Sequence, residues 1–234
     1  MAEFPDYTPT VPGERAERIR QWHESAYHAA KSEGRLTRTF TYLGRTIVVP
    51  PEVMPITPVS HLLGEAVLAE VRSTDRVLDM GTGSGVNAVL AAGTSTSVLA
   101  VDINPHALAA ARANADRNGV ADRVEVRHSD VFSSVDGAFD LIIFDPPFRW
   151  FAPRDLLEAA SADDNYRALT TFFHSTRHHL TPDGRMLIFF GTSGDLGYLQ
   201  QLMAQHRFHA TIVAHQISVK DDMQVEYFTY RLSG

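Results

Sequence analysis

The chain contains no cysteine among its 234 residues. That excludes disulfides and thiolate-bound metals, and it fits a reducing, cytoplasmic compartment. No apolar run approaches the ~20 residues that span a bilayer. The opening Met1-Ala-Glu-Phe-Pro-Asp-Tyr lacks the basic and apolar regions of a signal peptide. Positive charge is scarce as well: 21 Lys and Arg stand against 28 Asp and Glu, for a net charge of −7. A protein gripping many phosphates usually carries a basic face, so this balance disfavours a nucleic-acid partner. The sequence has no internal repeat or low-complexity tract, and no pattern in it sets an oligomeric state. Its length allows one substantial core with a small appendage.

What is present is organised around Val77-Leu-Asp79-Met-Gly81-Thr82-Gly83-Ser-Gly85, followed by Val86-Asn-Ala-Val-Leu-Ala-Ala92. An apolar run ends in an acid, glycine then occupies every second position, and a small-residue helical pattern follows. That order reads as strand, tight turn and helix. Glycines permit positive φ and close approach of a ligand, while the helix start offers amide donors. From Gly83 the frame satisfies a loosened dinucleotide fingerprint, with Asp102 about 20 residues on. From Asp79 it reads Asp-x-Gly-x-Gly-x-Gly, whose acid suits a ligand bearing an ammonium group better than a pyrophosphate.

Upstream, Met1 to Gly13 reads as an extended arm. Glu14 to Gly34 reads as a helix with Ile19, Trp22, Ala26, Ala29 and Ala30 near one face and Gly34 as its stop. Thr37–Tyr42 and Arg45–Val49 form a hairpin about Leu43-Gly44. Pro50, Pro51, Pro55 and Pro58 make a rigid loop, and a helix starting near Pro58 buries Leu62, Leu63, Ala66, Val67 and Val71. Strands are expected at Arg76–Met80, Val98–Val101, Val124–Arg127, Phe139–Phe144 and Arg185–Phe190. Helices are expected over Val86–Ala92, Pro105–Asn118, Asp164–Leu180 and Leu196–His206. Ala210–Ile217 and Gln224–Arg231 alternate and close the chain as an antiparallel pair. The βα alternation argues for an α/β fold with a parallel, doubly wound sheet, whose ligands bind beyond the carboxyl ends of the strands. Asp79, Asp102, Asp130 and Asp145 fall at four such ends.

With its Asp-led glycine loop and with Asp145-Pro146-Pro147-Phe148 closing a strand, the chain resembles the class I S-adenosylmethionine-dependent methyltransferases. That resemblance implies a Rossmann-like seven-stranded, mostly parallel sheet with an antiparallel last strand and helices on both faces. It implies S-adenosyl-L-methionine as cofactor, cradled by Asp79, Gly81, Thr82, Gly83 and Gly85. Asp102, with Ile103 and Asn104 beside it, stands where the family binds the ribose. Asp130 matches the acceptor of the adenine amino group, with the Val131 amide and the Phe132 ring beside it. The tetrapeptide resembles that of enzymes methylating planar nitrogens. There the Asp145 carboxylate and the Pro146 carbonyl would take the N–H groups, and Phe148 would stack on the flat acceptor. From Tyr42 to about Gly191 the chain is most similar to the small-domain enzymes that modify release-factor glutamine, although those begin the tetrapeptide with Asn.

The resulting expectation is an N-methyltransferase with a protein or small-molecule acceptor. Residues 1–57 would form an acceptor-site lid, including Trp22, His23, Tyr27 and His28, and residues 58–234 would bind the cofactor. The alternatives are a guanine or adenine amino methyltransferase acting on RNA or DNA, an NAD(P)-dependent oxidoreductase, and a non-catalytic binding module. His174 and His178 lie at helical i, i+4 spacing, but without a third ligand they are read as packed or exposed residues rather than a metal site.

Overall fold

A computed structural model describes residues 7–33, 36–220 and 223–234. Met1–Asp6, Gly34 and the side chain of Ala30, which figure in the expectations above, lie outside the described residues. In chain order the elements are α1 (Gly13–Glu33), the hairpin β1 (Arg38–Tyr42) and β2 (Arg45–Val49), α2 (His61–Glu70), β3 (Arg76–Met80), α3 (Val86–Ala91), β4 (Ser97–Asp102), α4 (Pro105–Arg117) and β5 (Val124–His128). They continue through β6 (Phe139–Phe144), α5 (Leu156–Ala159), α6 (Arg167–Thr176), β7 (Leu180–Gly191), α7 (Leu196–Gln205), β8 (His209–Lys220) and β9 (Met223–Ser233). Apart from the hairpin, the strands form one seven-stranded sheet ordered β5-β4-β3-β6-β7-β9-β8. Its first five strands run parallel, and β9 enters antiparallel to both neighbours.

The parallel centre explains the continuous apolar run of β6. Leu141, Ile142 and Ile143 are fully buried, because helices cover both faces of the sheet. On one face Leu62, Leu63, Ala66, Val67 and Val71 of α2 join α3, α4 and the hairpin residues Ile47 and Val49. On the other, Phe172 and Phe173 of α6 and Leu199 and Leu202 of α7 pack with Ile19 of α1. At the floor of the sheet the fully buried Arg185 is held by Asp75 at 2.8 Å and Glu70 at 3.2 Å.

Several boundaries depart from expectation. The helix expected near Pro58 begins at His61, because Pro58 sits in a turn closed by Ser60 Oγ, which accepts from the Thr57 amide. Among the described side chains of α1, Ile19 and His23 are the buried ones; Ala26 and Ala29 face solvent. The helix expected over Asp164–Leu180 is broken at both ends. Asn165 and Tyr166 take left-handed conformations before α6, and a 3-10 turn at Arg177–His179 follows it. His178 is therefore not one helical turn beyond His174; His174 meets His206 edge-on and His179 stacks on Phe132. Thr181–Gly184 bulges out within β7, since Phe139 pairs with Leu180 and Leu141 with Arg185.

Candidate active site

The strand order brings the carboxyl ends of β5, β4, β3 and β6 side by side, so the four predicted acids share one rim. Asp79, on β3, is 1% exposed. Its Oδ2 accepts from Thr82 Oγ1 at 2.5 Å and from the Ala88 amide at 3.0 Å, so strand, loop and α3 are tied together. Burial pushes the carboxyl up to about 7 against those two bonds, and the Asp102 charge adds to the rise.

Gly81, Gly83 and Gly85 all adopt positive φ, as the tight loop requires. Gly85 also lies against α4: a Cβ there would come within 2.7 Å of Ala111 Cα. At Gly83 no atom would meet a Cβ within 4 Å, so the loop is open on that side. Asp102 accepts from the Gly83 amide at 2.9 Å and from the Asn104 amide at 2.8 Å, one bond to each oxygen. Each oxygen keeps lone-pair capacity for a further donor. Burial raises this carboxyl too. Ile103, immediately beyond, is 45% exposed and presents apolar surface at the rim. The Asn104 side chain is occupied otherwise: it caps α4 through the His106 amide and donates to the Glu52 carbonyl.

Past β5, Asp130 accepts from both terminal nitrogens of Arg167, at 3.1 and 3.2 Å. Val131 holds φ at 50°, rare for a β-branched residue, with its carbonyl taken by Ser129 Oγ. Its amide donates to no group among the described residues. Phe132 does not join the rim; its ring stacks on His179 and packs by Phe172 inside the core.

Asp145 follows the last residue of β6 and is solvent-accessible. Its carboxylate makes no hydrogen bond among the described residues, and neither does the Pro146 carbonyl. Protein surrounds Asp145 even though solvent touches it; desolvation and the nearby Asp79 charge push it up toward about 7. Tyr42 of the hairpin lies close enough for the Asp145 and Glu65 charges to raise its hydroxyl, after burial itself. Phe148 is half-buried among Phe189, Phe190 and Tyr227. Its carbonyl accepts from Tyr166 Oη, which in turn accepts from the Asp195 amide at 2.7 Å. Asp195 also takes the Tyr7 hydroxyl at 2.8 Å, so the N-terminal arm is anchored behind the tetrapeptide.

Of the four aromatic or histidine residues expected in a lid, Trp22 lies under the guanidinium of Arg149, with 4.7 Å between that group and the ring centroid. His23 is buried against Glu158 at 2.8 Å, Tyr27 donates to Asp155, and His28 is exposed. Sequence reasoning missed Arg149, Tyr166 and Asp195. Only Arg149 carried a signal, its place directly after the tetrapeptide.

The family model for the methyltransferase small domain matches residues 56–217. The chain belongs to that family. Among curated members, the release factor glutamine methyltransferase of Cereibacter sphaeroides is 34% identical over 185 residues, covering 72% of this chain and 65% of the relative. The ribosomal protein uL3 glutamine methyltransferase of Bradyrhizobium diazoefficiens is 30% identical over 172 residues, covering 66% and 54%. In each case the match spans less than two thirds of the relative's own length. The ribosomal protein L11 methylase of Lactobacillus delbrueckii subsp. bulgaricus superposes with a TM-score of 0.56 at 23% identity, covering 78% of this chain and 82% of that one. Such a likeness establishes the shared fold of this methyltransferase family.

Proposed function

We propose that this methyltransferase-family chain transfers a methyl group from S-adenosylmethionine to a planar amide or amino nitrogen of a protein side chain or small molecule. The observation that carries this reading is the Asp145 carboxylate. Among the described residues it accepts no hydrogen bond at the end of β6, near the Asp79 charge, and the Pro146 carbonyl next to it is likewise unengaged.

The residues present fit the cofactor. Gly83 leaves the loop open where a ligand would lie, Asp102 retains acceptor capacity for a ribose diol, and Ile103 offers an apolar wall to a flat base. The unengaged Val131 amide can donate to a ring nitrogen, and Asp130, although paired with Arg167, can accept from an exocyclic amine. Asp79 Oδ1 makes no hydrogen bond among the described residues and would face the ammonium end. When bound, S-adenosylmethionine supplies an electrophilic methyl on a sulfonium.

The remaining work belongs to the chain. An amide or aromatic amine is a weak nucleophile because its lone pair is delocalised. Two acceptors, Asp145 Oδ and Pro146 O, would draw its hydrogens out of plane and fix the lone-pair direction. A carboxyl that titrates near 7 can then take the proton shed by the methylated nitrogen. The half-exposed Phe148 ring would bear on the flat acceptor, held there by Tyr166. In this reading residues 1–57 shape the acceptor side and residues 58–234 hold the methyl donor. The acidic net charge favours a protein or small-molecule acceptor over a nucleic acid. Calorimetric titration with S-adenosylhomocysteine and with NAD and NADP tests the cofactor. Saturable binding of the first alone is expected, and nicotinamide binding without it would overturn the reading.

A further inference from the structure

We infer that Arg149 is a recognition site for a carboxylate on the methyl acceptor. This deepens the methyltransferase reading, which supplies the location of the acceptor cleft, by giving the acceptor a charged group. The molecule holds two buried arginines among its described residues. Arg185, 2% exposed, is neutralised by Asp75 and Glu70. Arg149 is 9% exposed and has no carboxylate partner among the described residues. Its Nε is buried without a hydrogen bond, and no other guanidinium nitrogen of it is bonded among the described residues. Desolvation pushes its pKa down to about 10, and the only groups that oppose this are the phenols of Tyr227 and Tyr166.

A buried guanidinium without an anion is costly, because its hydration is lost and nothing replaces it. Stacking on Trp22 recovers part of that cost but leaves the buried Nε without a partner. The guanidinium lies over the Trp22 ring and near the phenols of Tyr227 and Tyr166, both of which bear on the tetrapeptide: the Tyr227 ring centroid is 6.4 Å from that of Phe148, and Tyr166 donates to the Phe148 carbonyl. Arg149 is four residues from Asp145, so their backbones are at most about 14 Å apart. A planar carboxylate matches the guanidinium edge in shape and leaves the buried pair neutral. A dianionic phosphate would leave excess negative charge at a guanidinium desolvated among Trp22, Tyr166 and Tyr227. The acceptor class that follows is a molecule, or a protein segment, with a carboxylate a short distance from its planar nitrogen.

The test is a matched pair of probes, benzoate and benzamide, titrated into the intact protein with and without S-adenosylhomocysteine. Tryptophan emission, compared with that of W22F to isolate Trp22, serves as a second readout, since the Trp22 ring lies against Arg149. Benzoate should bind at least about tenfold more tightly than benzamide. R149Q should bring that ratio near one with S-adenosylhomocysteine affinity changed less than about twofold. R149K, which keeps the charge but not the planar fork, should fall between. If R149Q does not fold, the wild-type ratio and R149K decide. Equal binding of the two probes by wild-type protein, or a ratio unchanged in R149Q, would overturn the inference. So would inorganic phosphate binding more tightly than benzoate. Loss of S-adenosylhomocysteine binding in R149Q would place the cofactor's own carboxylate at Arg149 instead. Failure of the wild-type protein to bind S-adenosylhomocysteine overturns the methyltransferase reading alone, because the benzoate comparison can be made on the cofactor-free protein.

Discussion

Acidification should weaken cofactor binding through Asp79. This carboxyl is buried, accepts two hydrogen bonds on Oδ2, and titrates near 7 because burial and the Asp102 charge outweigh those bonds. A proton and an ammonium group compete for it. A group with a pKa near 7 is about 3% ionised at pH 5.5 and about 90% ionised at pH 8. Affinity for S-adenosylhomocysteine should therefore rise about 30-fold across that interval, about 2 kcal/mol, and level off above about pH 7. Asp79→Asn keeps an acceptor for Thr82 and Ala88 but has no charge to titrate, so its profile should be flat and low. Because Asp102 is also raised, the difference between the two profiles isolates Asp79. Calorimetry at four or five pH values measures it. A flat wild-type profile, or a variant profile parallel to the wild type, would refute the reasoning. The same shift has a stability counterpart. A pKa raised on folding contributes stability below the unfolded value and loses it as pH rises through about 7, so cofactor-free Asp79→Asn should melt higher than wild type at pH 8 and not at pH 4.

Asp102→Ala should weaken S-adenosylhomocysteine binding by about 1.5–3 kcal/mol for each charge-assisted bond lost to the ribose; calorimetric affinity matching wild type would remove that assignment. Asp145→Asn should lower single-turnover methyl transfer while leaving cofactor affinity in place, and the wild-type rate should rise with pH toward about 7 as the carboxyl ionises. Gly85→Ala combines a left-handed φ of 80° with a Cβ driven to 2.7 Å from Ala111 Cα. It should cost about 2–4 kcal/mol and lower Tm by about 5–15 °C, read by thermal unfolding.

The sheet was legible wherever a strand's period or continuous apolar run states its burial, as in Phe139–Phe144 and the alternating β8 and β9. The glycine loop and the four strand-end acids were legible because their chemistry is local to each turn. Less legible were features that long-range contacts decide. The stretch from Asp155 to Tyr166 has little periodicity. Its form is fixed by Glu158 meeting His23 and Arg154, and by Tyr166 bridging Phe148 and Asp195. Phe132 reads as a rim residue beside Asp130, yet the left-handed Val131 precedes it and its ring lies against His179 in the core. The alanines of α1 fit an amphipathic face, but of those described Ala26 and Ala29 are exposed, while the helix is buried at Ile19 and His23. Arg149 is plain in the sequence, but that no carboxylate among the described residues pairs with it is a tertiary fact.

The most direct test of the account is methyl transfer itself, with tritiated S-adenosylmethionine and a cell extract separated into protein, RNA and small molecules. Wild-type protein should label the protein or small-molecule fraction, with the methyl on nitrogen by mass spectrometry. Asp145→Ala, binding S-adenosylhomocysteine as wild type does, should label it about a hundredfold more slowly. Label confined to nuclease-sensitive RNA would contradict the acceptor class, and equal labelling by Asp145→Ala would contradict the role of the Asp145 carboxylate.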